Sequence, residues 1–394
     1  MISFSQAVSL KEIEAAYSEF QVEQALRLPT TLKFGGGAGV PSSLIQLTAE
    51  WSRNVARPTL RLYSRHADEA AEALSREPHG IAAAYFADAI QTAEGEPMST
   101  RAALANAVTR IEAMQSSSFR QTMHGRGVFL GCFSRAKNEF LIPLYSRAEV
   151  GAVRSRDEFV TLTSRIIAAC APSAEQQMSE TRRIWLGTLV YELFKNTDEH
   201  ATTDEDGRPY PKNLRAVMAK FITYDAKTAA THLGEGDPRL SFYLLHNIAN
   251  RRASTGSDER WQNRQSALLE LTVLDTGPGL ARRWLSRHGH SGDKMERLSI
   301  ADEVALVQKC FELHASTKTT AGSGGGLSYV LQTLQRLNAY LRLRTGRVCL
   351  VQDFSAPKTE ALFTPTHWLK EQPELPMTAG ACYSIVVPLS KVLL

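Results

Sequence analysis

Glu192-Leu-Phe-Lys-Asn196-Thr-Asp198-Glu199-His200-Ala201 reads as the end of an amphipathic helix, and the rest of the chain can be read outward from it. Residues 192 and 196 are one step of four apart, so their side chains share an edge, with Glu199 close beside them. Leu186, Leu189, Val190, Leu193 and Phe194 fall on a neighbouring arc that should face a core. The helix therefore joins an apolar face to an edge carrying a carboxylate and an amide. Magnesium prefers hard oxygen ligands and often takes only one or two from protein, so the Asn196 carbonyl is a candidate ligand. Taken alone, the edge reads more readily as a solvated polar stripe.

Two signals downstream change that balance. Leu268-Leu-Glu-Leu-Thr-Val-Leu-Asp275 is a short, apolar, β-prone run bounded by Thr-Gly277-Pro-Gly279, which places Asp275 where a strand gives way to a turn. A carboxylate there accepts a hydrogen bond, although Pro-Gly is also an ordinary turn signal. Gly322-Ser-Gly324-Gly325-Gly326-Leu327 then leads into a segment, up to Leu337, with the three-and-four apolar spacing of a helix. Free amides and the dipole at a helix start attract phosphate, and glycines remove the side chains that would block it. A flexible linker is the competing reading, but linkers seldom run straight into a periodic helix.

These three motifs, in this order, resemble those of the GHKL group, the gyrase, heat-shock chaperone, histidine-kinase and MutL-type ATPases. The resemblance implies an α+β fold, a two-layer α/β sandwich of the Bergerat type, binding ATP and Mg2+. It assigns Glu192 as the base that takes a proton from the water attacking the γ-phosphate. It makes Asp275 the acceptor for the adenine amine, with Gly277 and Gly279 letting the backbone approach the base. Gly322, Gly324, Gly325, Gly326 and Leu327 become the phosphate cradle, and Asn196 the metal ligand. Ser316-Thr-Lys318-Thr is similar to the Thr/Ser-Lys segment before the glycines in many histidine kinases, so Lys318 is a further phosphate candidate. Two departures stand out. Ser328 occupies a position where a glycine is often found, and residues 224–266 form an insertion between the first two motifs. The preceding Leu214–Thr223 is legible either as a strand or as a helix.

A two-part organisation is expected: a small α/β domain over residues 1–150, regulatory or partner-binding, and an ATPase domain over 174–394 with the insertion at about 224–266 and an ATP lid at about 282–321. In the first part, Leu26–Thr30, Pro41–Trp51 and Thr59–Tyr63 predict strand, helix and strand, with Pro41 suited to a helix start. Gly35-Gly-Gly-Ala-Gly39 lacks a following Gly-Lys-Ser/Thr and reads as a structural loop. Gly127–Leu130 and Glu139–Pro143 add candidate strands. Near the end, Tyr340–Thr345 and Arg347–Val351 predict a hairpin turning at Gly346, and Ala379–Pro388 resembles the closing strand of histidine-kinase catalytic domains. With only 389–394 beyond it, no transducer domain of the gyrase or MutL kind is expected.

Over 394 residues, 43% are hydrophobic and 22% charged, a globular balance that leaves room for two cores. A formal charge of +4 makes no case for nucleic acid, and Arg336, Arg342, Arg344 and Arg347 read as a solvated basic face. Five scattered cysteines without metal spacing read as reduced core residues, and no apolar run approaches membrane length. A cytoplasmic protein is expected, with a protein partner meeting the first domain or the insertion; a homodimer stays open. The leading functional expectation is slow ATP hydrolysis used as a conformational switch in a regulatory or signalling system. The alternative is a serine/threonine kinase of the anti-sigma type, which Glu-x-x-x-Asn-x-x-Glu-His-Ala also resembles, and the third is a non-hydrolysing ATP sensor. Self-phosphorylation on histidine is disfavoured, since glycine follows both His79 and His124 and argues against a helix interior there.

Overall fold

The computed structural model describes residues 1–33, 36–125, 127–147, 151–233, 237–255, 266–288, 297–312, 326–356 and 361–389. The chain first alternates short strands with helices: β1 (Ile2–Ser3), α1 (Leu10–Ala16), β2 (Ala25–Arg27), α2 (Val40–Asn54), β3 (Thr59–Arg61), α3 (Ala67–Ser75), α4 (Pro78–Phe86), β4 (Ala89–Gln91), β5 (Pro97–Met98), α5 (Thr100–Ala105) and α6 (Val108–Gln115). Their five-stranded sheet runs β1-β2-β3-β4-β5, parallel through β4 and antiparallel at β5. Local sequence explains the helix starts. Ser9 and Glu12 form a reciprocal capping box on α1, and Pro41 sits in the first turn of α2, where its missing N–H costs nothing.

The remaining elements are β6 (Gly127–Phe133), β7 (Tyr145–Arg147), β8 (Ala152–Val153), α7 (Arg156–Cys170), α8 (Pro172–Gln176), α9 (Glu180–His200), β9 (Leu214–Tyr224), α10 (Ala226–Thr228), α11 (Pro238–Thr255), β10 (Ser266–Asp275), α12 (Leu280–His288), α13 (Ile300–Lys309), α14 (Gly326–Arg336), β11 (Tyr340–Gly346), β12 (Val348–Asp353), β13 (Thr366–His367) and β14 (Thr378–Pro388). A seven-stranded sheet, β13-β12-β11-β14-β10-β9-β6, is antiparallel throughout. With helices packed on it, this is an α+β sandwich. Leu214–Tyr224 is a strand, its alanines notwithstanding, because β10 and β6 pair with it on both sides.

Two expectations about strands need correction. Gly127–Phe133 does not belong to the first unit: Val128 pairs with Ala219 and Phe133 with Leu214, so the boundary lies before residue 127, not at 150. A strand's pattern announces its conformation but not its distant partner. Glu139–Pro143 is a turn closed by Leu144 N donating to Leu141 O at 2.9 Å, and the short strand is Tyr145–Arg147. The described part of the span expected as a lid includes α12 and α13: Val307 and Phe311 lie in the core, and buried Glu303 accepts from Arg347 Nε at 2.9 Å.

Alternation along the strands gives the large sheet two unlike faces. Leu269, Leu271 and Val273 of β10, with Leu341 and Leu343 of β11, point into an apolar core under α7, α9 and α14. The other face carries Lys220, Glu270, Arg342, Arg344 and Ser384, all buried. This corrects the reading of Arg342 and Arg344 as a solvated cluster. The first unit covers them, with α11 alongside contributing Leu240, Tyr243, Leu244 and Ile248 to the same core. Arg344, 1% exposed, donates from Nε and Nη2 to the two carboxylate oxygens of Glu14 at 2.8 and 2.9 Å, and to the carbonyls of Gly346 and Pro376 at 2.7 and 2.6 Å. Arg342 donates to Ser43 Oγ at 2.6 Å, and Glu270 accepts from Gly39 N at 2.7 Å and faces Lys220 at 3.5 Å. Gly39, the residue just before α2, thus ties that helix to the sheet. Among the described residues no helix is long and apolar enough to cross a membrane.

Removing one partner of a buried, hydrogen-bonded ion pair strands the other charge, at about 3–5 kcal/mol. Glu14→Ala should lose about that much stability in urea denaturation, and the double replacement Glu14→Leu with Arg344→Met should recover most of it. A loss under about 1 kcal/mol for the single variant would contradict the buried pair.

Candidate functional site

At the end of β10 the chain turns through Thr276, Gly277, Pro278 and Gly279, and several backbone groups of this turn are held. Thr276 N donates to Leu214 O at 3.0 Å, while Leu214 N donates back to Thr276 Oγ1 at 2.8 Å. Gly380 N donates to Gly277 O at 2.7 Å, and Leu280 N to Thr345 Oγ1 at 3.1 Å. Gly277 N donates to Asp275 Oδ1 at 2.9 Å. Gly380 has φ +67°, and a Cβ there would stand 1.9 Å from Asp275 O, so only glycine admits this approach of β14 to the strand end. Asp275 is buried. Burial pushes its carboxyl up to about 6, opposed by the amides of Gly277 and Ala381 and by the nearby charges of Arg53 and Arg283.

Helix α9 brings the first motif to this turn. Ser179 caps it, its side chain accepting from Arg182 N, and its apolar arc sinks Leu186, Leu189, Leu193 and Phe194 into the core. At its far end, buried Ala201 packs on the turn: a Cβ at Gly277 would stand 2.6 Å from Ala201 Cα. Arg283 of α12 reaches back to the carbonyls of His200 and Thr203 at 2.7 and 2.8 Å, satisfying the helix terminus. Asp198 is bound by Arg215 and by Tyr145 Oη at 2.6 Å, which fixes the helix's rotation against β9 and β7. Asn196 lies near the hydroxyl of buried Tyr383, and the Asp275 carboxyl is close enough to act on that phenol by its charge.

The third motif arrives beside Glu192. A Cβ at Gly326, the first residue of α14, would lie 3.0 Å from Glu192 Oε2. Oε1 of the same carboxylate accepts from Arg156 Nη2 at 2.5 Å. The Arg156 guanidinium lies 5.7 Å from the ring centres of both Tyr191 and Tyr329, so it links α7, α9 and α14 at one point. Glu192 is 11% exposed and Arg156 54%, which leaves the carboxylate within reach of solvent but constrained.

Of the residues singled out in the sequence, Glu192, Asn196, Asp275, Gly277, Gly279, Gly326 and Leu327 are described, and they come together along α9, the β10 turn and the start of α14. Lys318, Gly322, Gly324 and Gly325 lie outside the described residues. Asn196 carries its side-chain amide one helical turn from Glu192 on the same helix; among the described residues no cluster of three His, Cys, Asp or Glu groups forms a metal site. Sequence reasoning missed Arg53, Arg156, Tyr383 and Gly380. Gly380 was legible as a glycine inside a strand, which marks a bulge or a close approach; the two arginines carry no local signal. Comparison with protein-family models, curated proteins and solved structures finds no match to this chain.

A carboxyl held at about 6 against an ordinary 3.8 favours the folded state while protonated. Its stabilising contribution is complete below about 3.8 and is lost as the pH rises through about 6. Melting temperatures measured from pH 4 to 7 should therefore fall more steeply for the native chain than for Asp275→Asn. Parallel profiles would place Asp275 in contact with water instead.

Proposed function

We propose that the chain binds Mg-ATP as a GHKL-type nucleotide protein, hydrolyses it slowly, and uses the bound state as a conformational switch in a regulatory or signalling system. The observation that carries this reading is the meeting of Glu192 with Gly326, residues far apart in the chain and drawn from the first and third motifs. The second motif is tied to the first at Ala201 and Gly277.

In this reading Glu192 takes the proton from the attacking water, and Arg156 orients that carboxylate. Asp275, already accepting from Gly277 N, presents its remaining acceptor capacity to the adenine amine. The first amides of α14, at Gly326 and Leu327, face the phosphates at the positive end of a helix. Asn196 holds the magnesium ion, which when bound neutralises phosphate charge. Phosphate held between α9 and α14 would draw together the elements that flank α12 and α13, and this is the switch.

Incubation with γ-labelled ATP, with and without cell extract, tests the reading. Free phosphate is expected from the native chain. Glu192→Ala should bind nucleotide normally and release phosphate about 10²–10⁴-fold more slowly. Label appearing on a protein of the extract would move the assignment to a kinase, and neither product to a sensor. Undiminished hydrolysis by Glu192→Ala would remove the assigned base.

A further inference from the structure

The last turn of α2 reaches across from the first unit to the Asp275 turn. Arg53 donates from Nη2 to Thr276 O and from Nη1 to Gly277 O, the latter at 3.4 Å. Its guanidinium stacks on Tyr210, 3.9 Å from the ring centre, and Tyr210 N in turn donates to Thr202 O at 3.2 Å, just beyond α9. Glu50, one turn earlier on α2, and Asp275 are acidic groups close enough to act on its charge, as is the guanidinium of Arg282. The arginine is therefore held on one side by an aromatic face and on the other by two successive carbonyls of the turn.

We infer that Arg53 is a positioning residue of the adenine-binding turn, so that the nucleotide site is completed by the first unit. The inference rests on the nucleotide reading proposed above. Its physical content is the orientation of two peptide planes. The plane whose carbonyl is Thr276 O carries the Gly277 N–H that donates to Asp275, so fixing that carbonyl fixes the donor, and the donor fixes the carboxylate. A planar guanidinium presents its donors in a rigid fork that spans two carbonyls in fixed orientation, whereas an ammonium is a compact charge whose three donors rotate and orient the carbonyls less. Without Arg53, Gly277 O keeps Gly380 N, but Thr276 O loses the arginine and the plane is free to turn. Arg53 touches neither the phosphates nor Glu192 in this scheme, so its loss should act on affinity and on base selection, not on the chemical step.

Calorimetric titration of the full chain with Mg-ADP and Mg-GDP tests this, together with turnover at saturating ATP. Arg53→Ala should bind Mg-ADP about tenfold more weakly, as expected for one charge-assisted hydrogen bond. It should narrow the preference for ADP over GDP, and leave saturated turnover within about twofold. Arg53→Lys should recover about half of the loss on a logarithmic scale. Ser43→Ala is the control: it removes another contact between α2 and the sheet, the bond from Arg342, away from the turn, and should bind as the native chain does. Native affinity for Arg53→Ala, with Asp275→Asn impaired, would overturn the inference and leave the nucleotide reading standing. Native affinity for Asp275→Asn would instead remove the nucleotide reading itself. Equal losses in Arg53→Ala and Ser43→Ala would assign the effect to undocking of the first unit and overturn the specific role. Should Arg53→Ala not fold, Arg53→Lys decides alone: an affinity and base preference equal to native would overturn the proposal.

Discussion

Buried charge on one face of the seven-stranded sheet constrains the whole molecule. Lys220, Glu270, Arg342 and Arg344 are out of water, and an unpartnered charge in such a place costs several kcal/mol. No hydrophobic layer could cover them. The first unit does so with matched groups: Glu14 for Arg344, Ser43 for Arg342, and the backbone of Gly39 for Glu270. These directional contacts fix α2 in one position and rotation, as apolar packing alone would not. The placement of Arg53 follows from that position.

The geometry joins two parts that the sequence presents as separate. In a sandwich whose second face met solvent, a nucleotide site between α9, β10 and α14 would answer only to its own sheet. Here the covering unit touches the turn at Thr276 and Gly277, so displacement of α2 and a change in the turn are linked events. Linkage works in both directions: whatever a ligand did to the turn would be felt at α2, and a displacement of the first unit would act on the turn by the same free energy. The polar character of the interface suits that role, since hydrogen-bonded charge has discrete arrangements where an apolar contact merely slides.

Much of the architecture was legible because it is local. The helix bearing Glu192 and Asn196, the strand ending at Asp275, the helix after the glycine run and the hairpin at Gly346 each announce themselves by periodicity or by a turn residue, and each is present. What stayed hidden is long-range. Gly127–Phe133 reads as a strand, yet nothing in those residues says that its partner is Leu214–Tyr224. Arg342 and Arg344 look like surface charge because their acidic and hydroxyl partners, Glu14 and Ser43, lie some three hundred residues earlier and on helices. Arg53 and Arg156 were invisible for the same reason: an arginine's role is set by what lies at the end of its side chain. The candidate site was therefore legible in its motif residues and illegible in the arginines that orient them.

The central claim is a single adenine-nucleotide site on each chain. Equilibrium dialysis of the native protein against radiolabelled ADP with magnesium measures this directly. The account predicts saturation at one ADP per chain, displacement by unlabelled ATP, and poor displacement by GTP. Absence of saturable binding at millimolar nucleotide, or equal displacement by ATP and GTP, would contradict it.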